Sequence, residues 1–146
     1  MASKINVVAA IGYNGALGYK RKLPWHDPQD LKHFRFTTAN SLVVVGSKTW
    51  DTVKHLQGTH GREFICATSR YVEDSVLWTN DQLWLRSYAG ERPIWIAGGA
   101  ETYRVLAPWV DGKILLTRIN YDGPYDTVFP YAEYAGKSQG ITLLLR

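Results

Sequence analysis

A carboxylate set among apolar residues is the first candidate for chemistry in this chain. Asp30 follows the run Leu23-Pro24-Trp25. It stands at helical spacing from Phe34 and Thr38, so these side chains would share one helix face. Desolvation beside Leu31 and Phe34 would raise the pKa of the carboxyl group, as proton transfer near neutral pH requires. Acidic residues also stabilise helix N-termini, and this segment alone favours that structural role for Asp30.

Two glycine-containing turns form a second candidate site. Residues 94–97 predict a buried strand that runs through Gly98-Gly99 into a helix, where free backbone N–H groups can hold a phosphate. Residues 43–45 followed by Gly46-Ser47-Lys48-Thr49 repeat this arrangement. Neither turn has the G-x-G-x-x-G pattern, and the second lacks the upstream glycine of a Walker A loop. Two such turns in one small domain indicate a ligand with two or more phosphates.

Basic residues flank one predicted strand, at residues 63–67. Gly61-Arg62 precedes it, and Thr68-Ser69-Arg70 follows it. Arg62 could bind a carboxylate through two N–H groups, and the segment with Arg70 could bind a phosphate. Simple solvation is the commoner role of an isolated loop arginine, so these residues are weak candidates by themselves.

The sequence lacks the residue patterns that several other kinds of catalysis require. The four histidines form neither H-x-x-H nor H-E-x-x-H, so we expect no metal site. There is no G-x-S-x-G motif, and the single cysteine, Cys66, falls within a predicted buried strand, which disfavours a nucleophilic hydrolase. One cysteine, no long apolar run and no signal-peptide pattern together predict a cytoplasmic protein with no membrane partner.

The elements that must position these residues alternate between strand and helix. The chain has 146 residues, of which 45% are hydrophobic and 21% charged, so we expect one domain over residues 1–146. Apolar runs predict strands at residues 5–11, 42–45, 63–67, 76–78, 93–97, 113–119 and 141–145. Helices are predicted at 28–38, from 47, at 81–88 and at 100–106. This alternation predicts an α/β fold with a central, mostly parallel twisted sheet flanked by helices.

Two further features bear on the site and its partners. Asp27 suits the N-cap of the first helix and Pro28 its first position. Glycines punctuate residues 12–26, which predicts a long loop of functional importance. The net charge of +4 favours anionic partners, but the basic residues are scattered, so we expect no nucleic-acid binding. The charge is compatible with a monomer or a weak dimer.

In their order along the chain, these segments resemble the dihydrofolate reductase family. The most specific elements are Pro24-Trp25 with Asp30, and Gly98-Gly99 with Tyr103. The spacing is nearly constant over about residues 5–130. The other matching segments are Val8-Ala9-Ala10, Leu17-Gly18, Leu31, Phe34, Val45-Gly46-Ser47-Lys48-Thr49-Trp50, Gly61-Arg62, Leu116-Thr117-Arg118-Ile119 and Asp126-Thr127-Val128-Phe129-Pro130.

This resemblance implies NADPH-dependent reduction of 7,8-dihydrofolate to 5,6,7,8-tetrahydrofolate, with hydride transfer to pterin C6 and protonation at N5. Asp30 would accept hydrogen bonds from the pterin 2-amino group and ring N–H, and Thr117 would bind the same end. The implied catalytic residues are Asp30, Trp25 and Thr117. The implied substrate-binding residues are Ala10, Asp30, Leu31, Phe34, Val53, Arg62 and Thr117, with Arg62 on the α-carboxylate of the glutamyl tail.

The resemblance also implies an NADPH site and a mobile loop. Residues 12–25 would close over the nicotinamide, and the Gly98–Gly99 peptide would be cis. The implied cofactor-binding residues are Ala10, Leu17, Gly18, Gly46, Ser47, Lys48, Thr49, Thr68, Ser69, Arg70, Ala97, Gly98, Gly99, Ala100, Glu101, Thr102 and Tyr103.

Three departures from the family pattern stand out. Ser47 replaces an arginine that many relatives direct at the adenosine phosphates, and Glu101 is acidic where some relatives place another arginine. Lys48, Thr68 and Ser69-Arg70 could compensate. The family usually closes with a two-strand hairpin, whereas residues 141–145 predict a single strand, so we expect a shortened sheet edge.

Two alternative functions remain open at this point. The reductase domain of riboflavin biosynthesis shares the fold and cofactor, although Pro24-Trp25 with Asp30 favours folate. A non-catalytic nucleotide-binding or structural module would bind NADPH without turnover.

Overall fold

A seven-stranded parallel sheet forms the centre of the computed structural model, which describes residues 3–20, 22–68 and 78–145. The strands, numbered along the chain, are β1 Ile5–Ile11, β2 Ala16–Gly18, β3 Leu42–Val45, β4 Glu63–Ala67, β5 Trp78–Thr79, β6 Ile94–Ile96, β7 Ile114–Arg118, β8 Thr127–Val128 and β9 Thr142–Leu145. The strand order of the sheet is β5-β4-β3-β6-β1-β7-β9, and each pairing in it is parallel. The predicted α/β fold is therefore confirmed.

Alternating side chains of the strands divide the core into two clusters. Val44, like Ile65, belongs to the larger cluster, whereas its neighbours Val43 and Val45 belong to the smaller one with Phe64. This division arises because successive strand residues point to opposite sheet faces. All four residues of β3 are fully buried, as expected for a parallel strand covered on both sides.

Four helices of the described residues cover the sheet, and local sequence explains where two of them begin. They are α1 Pro28–Thr38, α2 Ser47–Val53, α3 Gln82–Ala89 and α4 Ala100–Val105. The Asp27 side chain accepts a hydrogen bond from the Asp30 N–H at 3.1 Å, which confirms the predicted N-cap of α1. Asp81 caps α3 in the same way through the Trp84 N–H at 3.1 Å, so it precedes that helix instead of opening it.

The predicted strand limits agree closely with the structure, with small differences at the ends. Residues 5–11, 42–45 and 63–67 form strands as predicted. The strands predicted at 93–97, 113–119 and 141–145 are one or two residues shorter in the structure. Of the strand predicted at 76–78, only Trp78 lies within the described residues, where it opens β5.

The prediction of one long loop over residues 12–26 was wrong for its first half. Residues Tyr13–Gly15 form a 3₁₀ turn, and β2 pairs antiparallel with β8. The Lys20 N–H also donates to the Asp126 carboxylate at 2.9 Å. The two short strands are separated by more than one hundred residues, so no local pattern revealed their pairing. A distant segment therefore anchors one end of the loop.

The last strand forms an exposed edge of the sheet. β9 pairs in parallel with β7, with Leu115 opposite Thr142 and Arg118 opposite Leu145. All four residues of β9 are exposed, including its three leucines. Among the described residues, no helix is long and apolar enough to span a membrane.

Candidate active site

Asp30 lies at the wall of an open cavity beside the first turn of α1. Its side chain is buried, with 8% of the residue exposed. The cavity has a volume of about 90 Å³. Its walls are formed by the segment before α1 and by the first turn of that helix, namely Leu23, Trp25, His26, Asp27, Asp30 and Leu31. A carboxylate in this position can accept two N–H donors from one edge of a flat heterocycle.

The local sequence fixes the position of Asp30. The Asp27 cap and the Leu31 N–H, which donates to the Asp27 carbonyl at 3.1 Å, close the first turn of α1. One and two turns later, Phe34 is half-buried against the smaller core cluster and Thr38 is fully buried. The predicted common face of these residues is thus present, and its packing orients Asp30 inward.

The carboxyl end of β1 brings further site residues close to Asp30. The Tyr103 hydroxyl donates to the Val8 carbonyl at 2.8 Å. Burial raises the pKa of Tyr103 far above its usual range, and electrostatic interactions with Tyr134 and Asp30 raise it further. Two residues after Val8, Ala10 pairs with Thr117 of β7.

Two buried polar atoms at this site lack a hydrogen-bond partner within the described part of the chain. Neither the Thr117 hydroxyl nor the Trp25 indole nitrogen has a hydrogen-bond partner among the residues that the structure describes. An unsatisfied buried polar group is costly, so such atoms mark positions where a polar ligand group fits. The Trp25 ring also packs against Tyr121, with the ring centroids 5.5 Å apart.

The two glycine-containing turns meet at the carboxyl edge of the sheet. β3 and β6 are adjacent, and the Gly46 N–H donates to the Gly98 carbonyl at 2.8 Å. The Gly98–Gly99 peptide bond is cis, as the resemblance implied. A Cβ at Gly99 would lie 3.2 Å from the Thr49 hydroxyl, and one at Gly46 would overlap the Thr102 hydroxyl. Glycine at position 46 therefore allows the two turns to pack closely against each other.

The two helices that begin at this corner have few charged side chains near it. Gly46 and Gly99 are the N-caps of α2 and α4, and neither helix has a side-chain hydrogen bond at its cap. Ser47 and Ala100 are half-buried, as is Ala97 before the corner, whereas Lys48 is exposed. The exposed Glu101 pairs with Arg104 at 2.8 Å. The corner therefore offers free backbone N–H groups together with one nearby lysine.

Arg62 forms the other charged part of the site. Its guanidinium lies between the rings of Phe34 and Phe64, at 6.0 and 5.4 Å from their centroids. Only 4% of the residue is exposed. Burial lowers the pKa of Arg62, and the nearby Arg35 charge lowers it further. No carboxylate of the described part of the chain forms an ion pair with Arg62, so the site favours an anionic ligand group.

The remaining predicted residues are mostly half-buried. Val53, like Phe34, packs against the smaller core cluster, and Leu17 packs against the larger core cluster next to Gly18 of β2. Thr68 is half-buried just after β4. Ser69 and Arg70 lie outside the described residues.

Sequence reasoning missed several residues of the site. His26 and Asp27 line the cavity beside Asp30, and their position next to Trp25 in the sequence could have revealed them. Thr59 accepts two hydrogen bonds from the Arg62 guanidinium, which no sequence motif indicates. Tyr121 contacts Trp25 from a loop almost one hundred residues away.

Comparison with known proteins agrees with this geometry. A family model described as dihydrofolate reductase matches residues 4–138, so the chain belongs to the dihydrofolate reductase family. It is 30% identical over 127 residues to a dihydrofolate reductase of Buchnera aphidicola subsp. Acyrthosiphon pisum, covering 86% of this chain and 78% of that protein. It is 31% identical over 136 residues to the type 9 dihydrofolate reductase of Escherichia coli, covering 87% of this chain and 76% of that protein.

A solved structure shows the same fold with a cofactor bound. The dihydrofolate reductase from Enterococcus faecalis, complexed with NADP(H) and RAB-propyl, matches with a TM-score of 0.73 and 28% identity. The match covers 89% of this chain and 80% of that one.

Proposed function

We propose that this protein reduces 7,8-dihydrofolate to 5,6,7,8-tetrahydrofolate with NADPH. The observation that carries the proposal is the buried Asp30 carboxylate in an open cavity, on the same chain as a side-chain-free corner formed by Gly46, Gly98 and Gly99. Membership of the dihydrofolate reductase family supports this reading of both parts. The two parts suit a flat heterocycle and a phosphate-bearing cofactor respectively.

Asp30 and Thr117 bind the polar edge of the pterin in this proposal. The two oxygens of the Asp30 carboxylate accept the 2-amino group and the ring N–H, which fixes the orientation of the ring. The unpartnered Thr117 hydroxyl binds the same end. Trp25 closes the cavity on one side and excludes water. Ala10, Leu31, Phe34 and Val53 supply the apolar walls.

The glycine corner holds the pyrophosphate of NADPH, which supplies the hydride for pterin C6. Gly46, Gly98 and Gly99 admit the phosphates to the backbone N–H groups, and Thr49 and Lys48 contribute a hydroxyl and a positive charge. Ser47, Thr68, Ala97, Ala100 and Thr102 surround the phosphates, with Ser69 and Arg70 assigned from the sequence alone. Leu17 and Gly18 border the nicotinamide, and Tyr103 supports β1 behind it.

Glu101 is compatible with the extra phosphate of NADPH. An isolated carboxylate would repel that group, but Glu101 forms an ion pair with Arg104 at 2.8 Å and is largely exposed to water. Solvent screening and this pairing both weaken the repulsion. We therefore expect NADPH to be preferred over NADH.

We further infer that the enzyme acts in the cytoplasm as a monomer or weak dimer, with no nucleic-acid or membrane partner. The lone Cys66 is buried in β4 and suits a reducing compartment. Sedimentation at several protein concentrations tests the oligomeric state, and a stable higher oligomer would contradict it.

An absorbance assay tests the proposed function. NADPH is mixed with the protein and dihydrofolate, and we expect absorbance loss that a diaminopyrimidine inhibitor abolishes. Parallel reactions use NADH and a riboflavin-pathway pyrimidine substrate. Turnover of the latter alone would favour the related reductase, and NADPH binding with no turnover would favour a non-catalytic module.

A further inference from the structure

We propose, on the basis of the proposed function, that Thr59 is a positioning residue of the substrate site, which holds the Arg62 guanidinium so that its remaining N–H groups bind a carboxylate of the substrate's tail. Thr59 itself does not touch the substrate in this proposal. It acts through Arg62, whose charge has no carboxylate partner among the described residues.

Thr59 holds Arg62 through two hydrogen bonds of fixed direction. Arg62 Nε donates to the Thr59 carbonyl at 3.1 Å, and Nη2 donates to the Thr59 hydroxyl oxygen at 2.7 Å. The Thr59 hydroxyl donates its own proton to the Leu56 carbonyl at 2.5 Å. A guanidinium has no acceptor, so this hydroxyl must accept from Arg62 while it donates to Leu56. The hydrogen bonds therefore run in one direction, from Arg62 to Thr59 and from Thr59 to Leu56.

The backbone between Thr59 and Arg62 makes this arrangement possible. The residues Thr59–Gly61 form a 3₁₀ turn in which His60 and Gly61 have φ values of 54° and 71°. The turn brings the Arg62 N–H within 3.0 Å of the Thr59 carbonyl. Because both residues are fixed by one short turn, little conformational freedom remains for the guanidinium to lose when a ligand binds.

The remaining N–H groups of Arg62 suit a carboxylate. A guanidinium has five N–H donors, and three have no hydrogen-bond partner among the residues that the structure describes. Phe34 and Phe64 flank the guanidinium. The nearby Arg35 adds a second positive charge. A buried charge of this kind requires an anionic partner, and a planar carboxylate fits two parallel N–H groups.

Arg62 lies beside the helix α1 that also carries Asp30. Phe34, which contacts Arg62, lies one helical turn after Asp30. A ligand whose N–H-rich ring binds Asp30 can therefore extend along the helix and place a carboxylate at Arg62. A ligand that has the ring but no carboxylate would not bind Arg62, so its affinity would not depend on Thr59.

Two substrates separate this role from a structural one. Steady-state kinetics are measured with dihydrofolate and with 6-methyl-7,8-dihydropterin, which has no carboxylate, for wild type and Thr59→Val. We expect KM for dihydrofolate to rise roughly tenfold, the size of one lost hydrogen bond to a charged group, with kcat within about twofold. We expect kcat/KM for the methylpterin to be unchanged.

Matched variants complete the test. Thr59→Ser keeps the hydroxyl and should restore most of the affinity, while Thr142→Val, at an exposed threonine of β9, should have no effect. Arg62→Gln should raise KM for dihydrofolate more than Thr59→Val does. Adding Thr59→Val to Arg62→Gln should then cause no further rise, because the residue it positions is gone. Thr59→Ala replaces Thr59→Val if the latter does not fold.

Each outcome supports or overturns the inference. Equal losses with both substrates, or additive effects in the double variant, would show that Thr59 only stabilises the fold. No change in KM would overturn the role directly. Calorimetric binding of 4-aminobenzoyl-glutamate provides a readout independent of turnover. Weaker binding by Thr59→Val in a protein that does not reduce dihydrofolate would preserve the carboxylate site and reject the proposed function.

Discussion

The Asp30 cavity and the glycine corner are two candidate binding sites that are built in opposite ways. The cavity is formed by side chains from one short segment around the start of α1, and its chemistry depends on one carboxylate. The corner joins two turns that are about fifty residues apart, and it depends on the absence of side chains at Gly46, Gly98 and Gly99. The cavity should therefore be sensitive to changes of charge, whereas the corner should be sensitive to changes of volume.

Removal of the Asp30 charge should have the largest effect. Asp30→Asn keeps the shape of the side chain but cannot accept both pterin donors, so we expect kcat near neutral pH to fall by roughly 100-fold or more. Partial recovery is expected at low pH, where the proton can come from water or the substrate. The measurement is the pH profile of NADPH oxidation. Glu91→Gln, at an exposed carboxylate, is the control, and an unchanged rate in Asp30→Asn would remove Asp30 from the mechanism.

Addition of one methyl group should damage the corner. The new Cβ of Gly46→Ala overlaps the Thr102 hydroxyl, so we expect KM for NADPH to rise roughly tenfold and stability to fall by about 1–3 kcal/mol. Binding of dihydrofolate to the cofactor-free enzyme should change little. Gly136→Ala is the control because a Cβ there meets no atom within 4 Å.

A second change tests whether volume is the cause. Thr102→Ala removes the overlapping hydroxyl and should restore part of the NADPH affinity in the Gly46→Ala background. If it restores none, the corner is not limited by space, and the contrast with the cavity fails.

A comparison of two helix-cap variants should separate an effect on stability from an effect on substrate binding. Asp27→Ala and Asp81→Ala each remove one side-chain hydrogen bond to a helix N-terminus, so each should lower the free energy of unfolding in urea by about 1 kcal/mol. Only Asp27→Ala should also raise KM for dihydrofolate, since Asp27 closes the turn that carries Asp30. Equal kinetic effects of the two variants would contradict this account of the cavity.

The pH dependence of Cys66 should give the smallest effect. Burial raises the pKa of the Cys66 thiol to about 11, with a smaller contribution from the Asp51 charge. The folded state therefore holds this proton at pH values where the unfolded state releases it, and stability falls as the pH rises from about 9 to 11. The stability advantage of wild type over Cys66→Ala in urea should shrink across this range. An advantage that grows with pH would contradict the burial of the thiol.

Local features of the site were predictable from the sequence, whereas contacts between distant segments were not. Asp27, Pro28 and Asp30 lie within one helical turn, so their spacing was sufficient to predict the cap and the face of α1. The pairing of β2 with β8 and the contact between Trp25 and Tyr121 each join segments about one hundred residues apart. Such contacts depend on the tertiary fold and leave no local pattern.

Side-chain contacts within the turns were equally hidden from sequence reasoning. The glycines of the corner were evident, but the packing of Thr102 against Gly46 depends on the adjacency of β3 and β6. The bond from Arg62 to Thr59 depends on the positive φ values at His60 and Gly61, a conformation that is uncommon for histidine. The roles of Ser69 and Arg70 remain predictions from the sequence.

Isotope transfer tests the central claim most directly, because it follows the hydride from cofactor to substrate. The protein is incubated with dihydrofolate and NADPH deuterated at the transferable position of nicotinamide C4, and the product is examined by NMR. The account predicts tetrahydrofolate with one deuterium at C6. Tetrahydrofolate without deuterium at C6, or consumption of NADPH with no reduced folate, would contradict it.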